Sequence, residues 1–251
     1  MFPETVAALL VLSITGGVIA GLGGPGGMPV IIGITALTAV SPAVQAGTTS
    51  TIFSFATLFA ASMYAYSGDI RKDLAVLLAA PTLIGTPIGV YFNQFMPEET
   101  FNLIIGVLAV LTGVIVTYRE FNELNSIHDI DLNEKSGKIT TVVIGILVGF
   151  IGGLTGIGGP ALSIPILVIV GIPVLEAIGA GLVQGFFVTT STAVNYINSG
   201  KISTSLLLIM GAPYVLSQIF GWYYAQNTDT RKLKIIVSLF LALSGLYLVF
   251  V

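Results

Sequence analysis

The sequence contains no cysteine, a single histidine and few charges, and each shortage removes a class of function. Without cysteine there is no disulfide, no thiolate metal site and no thiol relay. The one histidine, His128, falls in a charged stretch where a solvated side chain is the ordinary reading. Asp, Glu, Lys and Arg make up 8% of the 251 residues, against about 25% in a soluble domain. So small a polar complement cannot cover a water-facing surface, and most of the solvent must be lipid. The net charge of −3 adds little, because in such a chain the placement of charges matters more than their sum. No basic residue precedes the first apolar run, so no cleaved signal peptide is expected and residues 4–20 are read as part of the mature fold.

What the chain does have is apolar sequence written twice. It is 55% hydrophobic, with a mean hydropathy of +0.99. Gly21-Leu22-Gly23-Gly24-Pro25-Gly26-Gly27 aligns with Gly153-Leu154-Thr155-Gly156-Ile157-Gly158-Gly159. The offset, 153 − 21 = 132, then holds without a gap: Gly47 falls on Gly179, Tyr64 on Tyr196, Ser67-Gly68 on Ser199-Gly200, Gly89 on Gly221 and Gln94 on Gln226. An internal duplication in a strongly apolar chain points to a secondary transporter, with a binding site where the repeats meet.

Apolar runs at about 4–20, 28–40, 44–66, 73–92 and 101–118 recur at 139–152, 160–172, 175–197, 203–225 and 231–250. The chain therefore divides into a first repeat, 1–118, a polar linker, 119–138, and a second repeat, 139–251. A spanning helix needs about 20 apolar residues and at least about 17. The runs 28–40 and 160–172 are too short, and 4–20 and 139–152 are marginal. Each short pair flanks a glycine-rich break, so each is expected to form a re-entrant helical hairpin, its irregular backbone shielded by protein or a wet cavity. The predicted fold is all-α and integral to the membrane: two inverted repeats, each a hairpin plus three transmembrane helices.

Loop charges discriminate between topologies. With three crossings per repeat, Arg71, Lys72, Arg119, Lys135, Lys138, Arg231, Lys232 and Lys234 share one side and Lys201 has the other, eight against one. If 4–20 and 139–152 cross fully, the repeats become parallel and the split falls to six against three. The positive-inside rule favours the inverted arrangement. It predicts a multi-pass protein of the plasma membrane with a cytoplasmic linker and both termini outside.

The break Gly21 to Gly26 formally matches G-x-G-x-x-G, but no Asp or Glu follows about 20 residues on, and the second copy loses the spacing. With no Walker loop either, no nucleotide, nucleic-acid or metal partner and no cofactor is expected. The breaks suit another chemistry. Pro29 and Pro160 sit where the return helices begin, as proline does in a first turn. Such a helix start aims unpaired N–H groups, with roughly half a positive charge, into the break, which is an anion site without a cationic side chain. The candidate residues are Gly23, Gly24, Gly26, Gly27, Gly156, Gly158 and Gly159 as backbone donors, with Pro25 and Pro160 shaping the turns. The alternative is that the glycines serve only tight turning and close packing.

The long helix after each hairpin supplies further candidates. Gln184, Ser191, Thr192 and Asn195 lie at i, i+7, i+8 and i+11, on one helical face; in the first copy Thr51 and Ser54 hold a similar face, with Thr48, Thr49 and Ser50 near the helix start, and Thr49 and Thr51 join the candidates. Polar groups in a membrane turn to the interior or a cavity, although helix–helix hydrogen bonding uses the same residues. Glu176, near the start of a long helix, is a candidate for ion coupling or for complementing the helix dipole.

The repeated break, Gly-Gly-Pro-Gly-Gly in one copy and Thr-Gly-Ile-Gly-Gly-Pro in the other, with Gly47 and Gly179 and the two Ser-Gly pairs, resembles the TauE/SafE family of sulfite exporters and sulfonate permeases over nearly the whole chain. The resemblance implies an inner-membrane transporter of small sulfur-containing anions such as sulfite or sulfonates, driven by an ion gradient. The expected partners are that anion and the lipid bilayer, with a homodimer left open. Two other classes are a passive anion channel built on the same dipoles and an intramembrane enzyme. The enzyme would need a nucleophile–base pair or metal cluster that the apolar segments do not offer.

Overall fold

A computed structural model describes residues 2–22, 26–68, 70–121, 131–225 and 231–250. Their regular structure is helical throughout: α1 (Pro3–Gly21), α2 (Gly27–Leu37), α3 (Pro42–Ser67), α4 (Lys72–Asn93), α5 (Glu98–Phe121), α6 (Lys135–Thr155), α7 (Pro160–Ile169), α8 (Val174–Asn198), α9 (Thr204–Ala225) and α10 (Arg231–Phe250). Helices α1, α4, α5, α6, α8 and α9 are long and apolar enough to cross a membrane, whereas α2 and α7 are short.

Two bounds differ from the apolar runs. Helix α1 has 19 residues and α6 has 21, so neither is marginal in length. Helix α6 begins at Lys135 and α5 ends at Phe121, inside the polar stretch. A helical turn that lies beyond the lipid has no need of apolar residues, so hydropathy underestimates such ends.

The 132-residue offset reappears as exchanged contacts. A Cβ placed on Gly89 would run into the carbonyl of Phe150, and one on Gly221 into the carbonyl of Val18. Both pairs shift by 132 (89 to 221, and 18 to 150). Gly153 likewise faces Thr86 as Gly21 faces Gln218. Thus α4 of the first copy lies along α6 of the second, and α9 of the second lies along α1 of the first. At these crossings glycine lets one backbone touch another, the packing that lipid-solvated helices favour.

Corresponding helices pass one another in opposite directions. Gly47 faces Tyr196 at one end of the α3–α8 contact, and Thr57 meets Thr189 further along. Gly106 lies by Val249 while Val110 lies by Gly245, so α5 and α10 are also antiparallel. Two apolar clusters follow this exchange. One joins Leu9, Met28, Ile31 and Phe53 to Met210 and Tyr214; the other joins Leu74 and Leu78 to Ile144, Val148, Leu167 and Ala180. Each hairpin is thus packed against a helix of the other copy.

Both return helices start within the helical layer. Helix α2 starts beside Phe53, near the middle of α3, and α7 starts beside Gly185, near the middle of α8. Helix α3, with 26 residues, is about 39 Å long at 1.5 Å per residue, so its middle lies far from either end.

Candidate functional site

The second break is built from buried residues, 152 to 159. Helix α6 stops where Gly156 turns to φ +71°, its N–H still bonded to the Gly152 carbonyl at 2.8 Å. Gly158 also has positive φ, +86°. This left-handed region disfavours residues with a Cβ. The Thr155 hydroxyl donates to the Ile151 carbonyl at 2.6 Å and accepts the Ile157 N–H at 3.3 Å. The Thr49 hydroxyl, on α3, lies 3.2 Å from the Gly156 carbonyl. The loop is therefore held from both sides.

Helical bonding in α7 begins late. The N–H groups of Leu162 and Ser163 both return to the Gly159 carbonyl, at 3.1 and 2.9 Å. The amides of Gly158, Gly159 and Ala161 stand ahead of that first bond, and Pro160 contributes none. A buried amide without a partner is costly, and at the start of a helix it offers partial positive charge. Chemically, this arrangement can receive an oxyanion.

Gly23, Gly24 and Pro25 of the first break lie outside the described residues. Gly27 has the ring of Phe53 beside it, and a Cβ there would be 3.6 Å from the Ile157 carbonyl. The start of α2 and the second break are therefore neighbours. Gly26 differs from its counterpart Gly158. Its φ is −66°, and its open side faces the Gly16 carbonyl and Ala20 of α1. Close packing accounts for glycine at 26, and backbone conformation accounts for it at 158.

The polar face of α8 is only partly self-satisfied. Gln184 is 0% exposed, and neither atom of its amide has a partner. Gly181 lies against Ser163 and Ile164, and Val188 against Gly152 and Gly159. Residues 181, 184 and 188 share one helical stripe, so Gln184 faces the α6–α7 hairpin. Thr192 is also 0% exposed with an unpartnered hydroxyl. Ser191 instead pairs with Thr86 of α4, oxygen to oxygen at 2.6 Å, and Asn195 donates to the Ser191 carbonyl at 2.8 Å. Thr51 donates within its own helix, to the Gly47 carbonyl at 2.8 Å.

Glu176 is remote from this stripe. Its carboxylate accepts from the Arg71 guanidinium at 3.0 Å, and both side chains are about a third exposed, 35% and 36%. Arg71 also holds Asp73 at 3.1 Å. The two acidic partners, Asp73 first, keep the Arg71 guanidinium above its ordinary pKa. The pair ties the loop before α4 to the first turn of α8.

Several contacts escaped the motif reading. The hydroxyls of Thr57 and Thr189 meet at 3.1 Å. The Tyr196 hydroxyl donates to the Gly153 carbonyl at 3.0 Å, and Asn93 donates to the Leu154 carbonyl at 2.6 Å. A signal for the first existed: Thr57 and Thr189 are the same residue at the 132 offset. Asn93 falls on Ala225 at that offset and carries no such mark.

The family model described as sulfite exporter TauE/SafE matches residues 8–248. This chain belongs to the TauE/SafE family. It is 22% identical to the probable membrane transporter protein YjnA of Bacillus subtilis, over 96% of this chain and 99% of that protein. YunE of the same organism, also named a probable membrane transporter protein, is 22% identical over 96% of both. The probable membrane transporter protein MJ0441 of Methanocaldococcus jannaschii is 27% identical over 63% of this chain, and the match spans 62% of that relative's length. No solved structure matches the chain. Family and helices together make this TauE/SafE member a multi-pass membrane transporter.

Proposed function

We propose that the protein is a secondary transporter that carries a small sulfur-containing anion, sulfite, a sulfonate or similar, across the cytoplasmic membrane by alternating access. The observation that carries this reading is the group of amides at buried Gly158 and Gly159 and half-buried Ala161, free of helical bonds beside the α3–α8 crossing. They would hold the anion, with Gly27 and the start of α2 approaching from the other copy. No deep cationic side chain is needed for such a site.

The exchanged contacts support two inverted repeats that rock about this shared site. The eight-to-one distribution of Lys and Arg supports a cytoplasmic linker with both termini outside. Counterflow in proteoliposomes tests the mechanism. Radiolabelled sulfite should enter faster when unlabelled sulfite is loaded inside. Flux indifferent to internal substrate would instead mean a passive channel using the same dipoles.

A further inference from the structure

We infer that the site takes a singly charged oxyanion that itself carries an O–H or N–H donor, and that Gln184 makes the distinction. The inference rests on the reading of the α6–α7 break as an anion site and narrows its ligand.

A carboxamide brings a donor, Nε2, and an acceptor, Oε1. Both are buried in Gln184, and both lack partners. Each is costly to leave unmet. An oxyanion beside the break satisfies Nε2. It cannot satisfy Oε1, since two acceptors face each other and the ligand's negative charge repels the carbonyl dipole. A ligand with a proton of its own on oxygen or nitrogen satisfies both ends. Exchanging the amide's N and O assignments changes nothing, because both positions are open.

Charge points the same way. Among the described residues, the buried polar side chains are all Ser, Thr, Asn or Gln, without a Lys or Arg. A dianion would lose its hydration to a site offering only dipoles, and the start of α7 supplies roughly half a positive charge. One negative charge fits that field better than two. The Thr192 hydroxyl, buried and unpartnered two turns beyond Gln184, can donate or accept as the ligand requires.

The consequence concerns coupling. An acid whose last ionisation falls near neutrality would be taken up as its hydrogen-anion, and its proton would cross with it. No buried carboxylate or imidazole would then be required.

Three small probes of similar size test this on the purified protein: sulfamate (a monoanion with N–H donors), methanesulfonate (a monoanion without a donor) and sulfate (a dianion). A ligand that binds only the folded state raises the melting temperature, and titration calorimetry gives the affinities. We expect sulfamate to bind about tenfold tighter than methanesulfonate, the scale of one buried acceptor left unmet, with sulfate weakest. In Gln184→Met the gap between sulfamate and methanesulfonate should close while methanesulfonate binding persists. Methanesulfonate or sulfate binding as tightly as sulfamate overturns the inference, as does an undiminished gap in Gln184→Met. If that variant does not fold, the order of the three probes on the unaltered protein decides. Binding of all three without preference removes this inference and leaves the anion site standing; binding of no oxyanion, sulfite included, removes both.

Discussion

Thr57 and Thr189 are the same position in the two copies, and their hydroxyls meet each other at 3.1 Å. A residue that pairs with its own counterpart lies on the line relating the two halves. Each hydroxyl also reaches back to its own helix, to the Phe53 carbonyl at 2.7 Å and the Gly185 carbonyl at 2.8 Å. The pair therefore fastens α3 to α8 where the halves cross, with the Thr189 methyl beside Gly158 of the second break.

A double-mutant cycle measures that link. We expect Thr57→Val and Thr189→Val each to lower stability by about 1 kcal/mol or less, with a coupling near 0.6 kcal/mol, the average for hydrogen bonds between membrane helices. Unfolding in mixed micelles reads the values. Strictly additive losses would mean that the hydroxyls satisfy only their own helices.

Glycine at helix crossings should be intolerant in matched pairs. Gly89 and Gly221 each lie against an opposing backbone carbonyl, so Gly89→Leu and Gly221→Leu should both reduce folded yield severely. Gly211 is a contrast inside the same helix class. A Cβ there would meet only side chains, at 3.7 and 3.8 Å, so Gly211→Ala should be neutral or stabilise by up to about 1 kcal/mol through helix propensity. Size-exclusion chromatography of fluorescent fusions checks all three.

The Arg71–Glu176 pair is about a third exposed on both sides, so Glu176→Gln should cost no more than about 1 kcal/mol. The loss should shrink at high salt. If the proton travels on the ligand, the pH dependence of uptake should survive this substitution. Its disappearance would restore Glu176 as the coupling group.

Inversion of the two halves is testable at one pair of equivalent residues. Lys72 and Thr204 are 132 apart, and both are exposed at the start of a helix. The native sequence has no cysteine, so Lys72→Cys and Thr204→Cys can be labelled against a blank background. An impermeant maleimide should reach the Thr204→Cys site in intact cells and the Lys72→Cys site only after lysis. Equal labelling would mean parallel repeats.

Much of this was legible in the sequence because a duplication reports on tertiary contacts as well as on ancestry. The 132 offset relates Gly89 to Gly221, and the structure gives them neighbours, Phe150 and Val18, that are themselves 132 apart. The stripe from Gln184 was visible as spacing, since helical period alone puts residues 184 and 191 on one face. Other features depend on distance in three dimensions. Glu176 looked like a lone carboxylate until Arg71, 105 residues earlier, came beside it. Gly26 and Gly158 are interchangeable as letters, yet one is demanded by the backbone of α1 and the other by a positive φ. The polar turns of α6 before residue 139 were hidden because hydropathy registers lipid contact and is blind to helix beyond it.

The claim that backbone amides hold the anion is tested most directly by comparing Gly158→Val with the unaltered protein in sulfite binding per folded molecule. The left-handed φ of Gly158 disfavours valine, and a Cβ there would press on a methyl of Thr189 at 3.2 Å, which must give by a few tenths of an ångström. The amides should turn away, and folded yield should fall as well, which is why binding is counted per folded molecule. The account predicts a fall in affinity of at least about tenfold in the protein that still folds. Unchanged affinity in that folded fraction would contradict it, leaving the glycines of the break to packing alone.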